Sequence, residues 1–145
     1  SLGIVGDGSL RKTYERMARR LGIGSSVLFV GKEADVKPFL ARAGVYVQPS
    51  YFEGWGLAVI EAAAAGMPIV MTDVGCAGEV IEDRKSGLIV PPANAHALAE
   101  ALITLLSDPT LAQRLANEAR VRALALPSSE TTARLIRASF EAAKV

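Results

Sequence analysis

The chain has 145 residues, half of them hydrophobic, with a formal net charge of +1, one cysteine and one histidine. Such a length holds one domain with a sizeable core, expected here over residues 1–145, and the balanced charge argues against disorder, a charged tail or a nucleic-acid-binding surface. Cys76 alone forms no internal disulfide and, with His96 the only histidine, builds no structural zinc site; nor does any apolar run approach the ~20 residues that cross a bilayer, so a cytosolic protein is expected.

Short apolar, β-rich runs alternate with helical patterns, which predicts an α/β fold with a mainly parallel sheet and helices on both faces. Residues 2–5 read as the first strand, and residues 10–21 as a helix with Leu10, Tyr14, Met17, Ala18 and Leu21 on its apolar side and Gly22 as terminator. Between them, Gly6-Asp7-Gly8 makes a glycine turn. It misses the dinucleotide fingerprint because Arg11 stands where the third glycine belongs, so a tight turn and a ligand-facing turn both fit. A second strand follows at residues 27–30, then a helix over residues 33–43 that Pro38 distorts or delays, then a third strand at residues 45–48.

In residues 57–65 the only polar side chain is Glu61, which helical spacing places on one face with Leu57, Ile60 and Ala64. A carboxylate on a packed face needs hydrogen-bond donors, and the hydroxyl pair of a ribose supplies them. Just upstream, Gly54 and Gly56 lead into the mouth of the same helix, where free backbone amides and the positive helix end suit an anion such as a diphosphate. A plain strand-to-helix turn is the alternative reading. The four alanines at residues 62–65 read as a close helix-to-sheet contact.

Two more strands are expected at residues 69–72 and 88–90, with Glu79 between them starting a helix and complementing its dipole. Cys76 has no histidine placed to activate it and is a poor nucleophile candidate. Asn94 caps a helix ending near Leu106, Asp108-Pro109 opens one ending near Leu124, and Ser128 or Ser129 caps a last helix reaching Ala143 with Leu135, Ile136 and Phe140 on its apolar side. The arginines of these late helices read as solvated faces.

The stretch from Pro49 to Pro68 resembles the nucleotide-sugar-binding half of retaining glycosyltransferases of the GT-B architecture, specifically family 4. The family's two glutamates separated by seven residues are present as Glu53 and Glu61. A bare pair at that spacing is common, but the surrounding word is far more specific: Pro49-Ser50 before it, Gly54-Trp55-Gly56-Leu57 inside it, and Glu61-Ala62 leading to Gly66-Met67-Pro68. Trp55 replaces the usual phenylalanine. In the second family block, residues 73–80, Cys76 and Gly78 depart from the usual glycine and proline, and Gly87 to Pro92 repeats the family's closing strand and exit turn.

The resemblance implies a Rossmann-like sheet and a donor-binding role. Glu53 would lie by the transferred sugar as the catalytic carboxylate, Glu61 would hold the ribose, and the amides of Leu57 and Ala58 would meet the diphosphate. Gly6 and Gly8 would line the nucleotide pocket, Gly31 would border the base, and Ser50, Gly54 and Gly56 complete the set. No metal or cofactor is implied beyond the nucleoside-diphosphate sugar itself. The family's donor-binding arginine and lysine precede the first strand seen here, and Arg11 and Lys12 are not that pair. A carboxy-terminal fragment lacking the first strand of its domain is therefore expected, inactive alone, whose partner is an amino-terminal acceptor domain through which the enzyme could sit peripherally at a membrane. The absent strand would leave sheet edges that pair with another copy or rearrange. Alternatives are a nucleotide-sugar epimerase or phosphorylase of the same architecture, and a noncatalytic nucleotide-binding module.

Overall fold

Parallel strand pairing organises the computed structural model, which describes residues 1–143 as two units, Ser1–Ala41 and a larger one beginning at Arg42. In the smaller unit β1 (Leu2–Val5) runs beside β2 (Val27–Gly31), with Leu2 opposite Val27 and Ile4 opposite Phe29 before a shift sets Val5 opposite Gly31. The connecting helix α1 (Arg11–Arg20) ends where the Ile23 amide reaches the Ala18 carbonyl at 3.0 Å, with Gly22 at the expected terminating position. Its apolar stripe forms as the periodicity predicts. Only Ala18 is buried, however, and Leu10, Tyr14, Met17 and Leu21 stay exposed. The helix expected over residues 33–43 contracts to the single turn α2 (Lys37–Leu40), because Pro38 fits only a first turn and blocks helix on its amino-terminal side.

The larger unit holds β3 (Tyr46–Gln48), β4 (Ile69–Thr72) and β5 (Leu88–Val90) in one parallel sheet with β4 in the middle. The strands thus fall into two sheets, one in each unit. Around the second sheet lie α3 (Leu57–Ala64), α4 (Ala95–Ser107) and α5 (Pro109–Leu124), and α6 (Ser129–Ala142) follows in the chain. Side chains alternate across β4. Ile69 and Met71 pack with Val59 and Ala63 of α3, Cys76, Ile81 and the α5 residues Ala119 and Ala123. On the opposite face Val70 packs with Leu88, Val90, Leu105 of α4 and Leu115 of α5. All four β4 residues are buried, and each large apolar side chain so enclosed stabilises the fold by roughly 1.5–3 kcal/mol.

Helix starts follow the sequence signals. Asn94 Oδ1 accepts from the Ala97 amide at 3.0 Å, Asp108 Oδ1 from the Leu111 amide at 2.9 Å, and Ser128 Oγ from the Thr131 amide at 3.2 Å. Caps of this kind are worth about 1 kcal/mol each. The alanine run behaves differently from expectation: Ala63 shares its cluster with Ala119 and Ala123, so the close approach is chiefly to α5, and Ala65 is exposed. Nor does Glu79 start a helix. The Gly78 amide bonds to the Ile81 carbonyl at 2.8 Å, closing residues 76–81 into a turn before a helix can propagate.

Past that turn, Glu82 accepts from Lys85 Nζ at 2.6 Å and from Arg122 on α5; the Lys85 bond, then the Arg122 bond, hold its carboxyl below the ordinary range. The last helix, α6, contains no buried residue, and Leu135, Ile136 and Phe140 lie exposed on it.

Candidate functional site

The carboxyl end of β3 carries a directed chain of polar side chains. Tyr46, Gln48, Ser50 and Glu53 sit on the strand and the loop behind it, all half-buried. Glu53 Oε1 accepts from Gln48 Nε2 at 2.6 Å and from Ser50 Oγ at 2.7 Å. Gln48 Nε2 also reaches Ser50 Oγ at 3.0 Å, while the Gln48 Oε1 accepts from the Tyr46 hydroxyl. From the neighbouring strand, buried Thr72 donates to the Ser50 carbonyl at 2.6 Å, fixing the backbone that presents these groups. Burial first, then the nearby charges of Glu53 and Glu61, pushes the Tyr46 phenol up to about 12.

Between this cluster and α3 the chain turns at Gly56, whose φ of +87° is left-handed and suits only glycine comfortably. The helix then starts without a side-chain cap. Val59 and Ile60 amides bond to the Gly56 carbonyl, so those of Leu57 and Ala58 have no intrahelical partner and face outward at the positive helix end. Gly75 presses on the same loop: at φ +61°, a side chain there would put its Cβ 2.8 Å from the Trp55 carbonyl oxygen and 2.9 Å from Glu53 Cβ. One residue on, the Cys76 amide donates to the Trp55 carbonyl at 2.9 Å.

Ser50 and Glu53 are thus brought into direct contact, with Gly56 and the α3 amides following in the same segment. Gly54 is exposed and has open space around it. Glu61 overturns its expected placement. The buried stripe of α3 is Val59, Ala62 and Ala63, which leaves Leu57, Ala58 and Glu61 exposed. Its carboxylate is solvated and does not need a buried donor. In the smaller unit the Gly6 amide bonds to the Gly31 carbonyl at 2.6 Å, and Gly8 donates to Asp7 Oδ1 at 2.8 Å. Arg11 fills the space beside Gly31 and donates to the Phe29 carbonyl at 2.9 Å.

Cys76 is fully buried, its thiol pushed up by burial, while His96 lies exposed 3.4 Å from Glu100, so the two form no nucleophile pair. No motif marks Tyr46 or Thr72, which join the site through strand pairing, whereas Gly75 belongs to the family block at residues 73–80. Gln48, read only as a strand-ending residue, is the direct partner of Glu53.

The family model for Glycosyl transferases group 1 matches residues 1–122, and the chain belongs to that family. A glycogen synthase of Mycobacterium tuberculosis is 36% identical over 124 residues, covering 84% of this chain and 30% of that protein. The structure of sucrose-phosphate synthase from Thermosynechococcus elongatus superposes with a TM-score of 0.85 at 33% identity, covering 98% of this chain and 39% of its own. Anabaena Alr3699/HepE, solved in complex with UDP, gives a TM-score of 0.88 at 25% identity, with coverages of 97% and 40%. The architecture is that of the GT-B glycosyltransferases. The chain spans 30% to 40% of the length of these three proteins.

Proposed function

We propose that this chain is the donor-binding module of a retaining, family 4 glycosyltransferase that moves a hexosyl group from a nucleoside-diphosphate sugar, with uridine the first base to test. The observation carrying this reading is the arrangement behind β3: a carboxylate held on one oxygen by Gln48 and Ser50, followed within one turn by unpartnered amides at the start of α3. Leu57 and Ala58 meet the diphosphate, and fixed amide dipoles stabilise the charge that grows on it as the glycosidic bond breaks. Glu53 offers its free Oε2 to the sugar, supporting the positive charge that develops there. Glu61, exposed and close enough to act on the Tyr46 phenol, takes the ribose hydroxyls as a surface acceptor rather than a buried one.

Because the matched relatives are two to three times longer, we assign the acceptor site and its specificity to the rest of the protein, cytoplasmic or peripheral at a membrane. The chain alone is expected to hold donor without turning it over. Heteronuclear NMR titration with UDP, GDP and ADP tests the reading through the amides of Gly6, Gly56, Leu57, Ala58 and Glu61. Saturable shifts with one nucleotide identify the base, and Glu61→Ala should weaken that binding with the rest of the spectrum unchanged. Absence of shifts with all three at millimolar concentration would sink the assignment, and unchanged affinity in Glu61→Ala would sink the ribose role.

A further inference from the structure

The bonds around Glu53 have only one consistent direction. An ionised carboxylate only accepts, so both Gln48 Nε2 and Ser50 Oγ must donate to it. Ser50 spends its one proton on Glu53 and therefore accepts the second amide proton of Gln48. That assignment uses both donors of the Gln48 amide and leaves its oxygen needing a donor, which the Tyr46 hydroxyl provides. Rotating the amide by half a turn would set its oxygen against the Glu53 carboxylate. Glu53 thus selects the nitrogen end of Gln48, and the Tyr46 phenol pins that orientation by donating to the amide oxygen.

We infer that Tyr46 is a positioning residue for Glu53, acting through the Gln48 amide so that the carboxylate keeps one rotamer and presents Oε2 in one direction. Thr72 completes the frame by fixing the Ser50 carbonyl from β4. The functional part of this inference rests on the reading of Glu53 as the group beside the donor sugar. Because Tyr46 acts through Gln48, its removal is expected to alter recognition of the sugar while sparing recognition of the nucleotide.

Two readouts on the 145-residue chain test this. Three-bond side-chain couplings of Glu53 should report a single rotamer in the wild type and averaged rotamers in Tyr46→Phe and in Gln48→Leu, with α5 and β4 resonances unmoved. UDP should bind wild type and Tyr46→Phe equally, while UDP-glucose loses about tenfold, the size of one lost hydrogen bond to a charged group. A single Glu53 rotamer in both variants overturns the inference, and so does an equal loss of UDP and UDP-glucose, which marks a purely structural role. If neither ligand binds the wild type, the uridine-donor reading fails and the couplings alone decide whether Tyr46 positions Glu53.

Discussion

The two units use the same parts to different effect. In the larger one, β4 has a strand on each side and helices over both faces, so its four residues are buried and α5 feeds both packed clusters. In the smaller one, a more sharply amphipathic helix lies by a two-stranded sheet, and Ala18, Gly31 and Leu40 are its only buried residues. Two-stranded sheets bury too little apolar area to be stable alone. Periodicity tells which face of a helix is apolar; only neighbouring elements decide whether that face is covered.

Mutations in matched pairs test this contrast. Leu115→Ala removes a fully buried side chain between α5 and the sheet and should cost about 3 kcal/mol in urea unfolding. Leu21→Ser, on a side chain 65% exposed in the smaller unit, should stay within about 0.5 kcal/mol. A comparable loss at Leu21 would show that something covers the α1 stripe in solution and would break the comparison. Glycines give the next pair. A Cβ at Gly87 would lie 2.6 Å from Ile81 Cγ2 and 3.1 Å from the Ile69 carbonyl oxygen, so Gly87→Ala should destabilise by about 2 kcal/mol through overpacking. Gly3 in β1 has open space around it, and Gly3→Ala should be neutral to within about 0.5 kcal/mol in the same assay.

The parts of the molecule legible in its sequence are those set by local chemistry. All five strands lie where apolar runs predict them, and Asn94, Asp108 and Ser128 cap the helices they precede. Glu61 shows where local reasoning stops. From Leu57 to Ala65 nearly every side chain is apolar, so the pattern has no contrast to mark the solvent side, and helical spacing alone groups the lone polar residue with Leu57, Ile60 and Ala64. Packing against β4 and α5 selected Val59, Ala62 and Ala63 instead. Tyr46, Thr72 and the contact that Gly75 makes are illegible for another reason. They reach the Glu53 loop through strand register and chain reversal, with Gln48 beside Met71 and Thr72 next along β4, and no spacing rule within one segment reports such a meeting.

The smallest expected effect contrasts two tyrosines. Tyr14 is exposed on α1, whereas Tyr46 is half-buried between β4 and the acidic loop, its phenol raised from 10.0 to about 12. A raised folded-state value means that the stability contributed by the protonated phenol is complete below pH 10 and is lost as pH rises through 12. By pH 11 the loss traceable to Tyr46 should be about 1 kcal/mol, since one pH unit beyond the unfolded value is worth roughly 1.4 kcal/mol before solvent screening. Urea unfolding at pH 9 and pH 11 measures it: wild type should lose about 1 kcal/mol more than Tyr46→Phe. Equal losses in wild type and Tyr46→Phe would mean that the phenol ionises as freely as it does in the unfolded chain. Tyr46 would then lie in a more solvated setting, farther from the charges of Glu53 and Glu61, than its half-buried place beside β4 gives it.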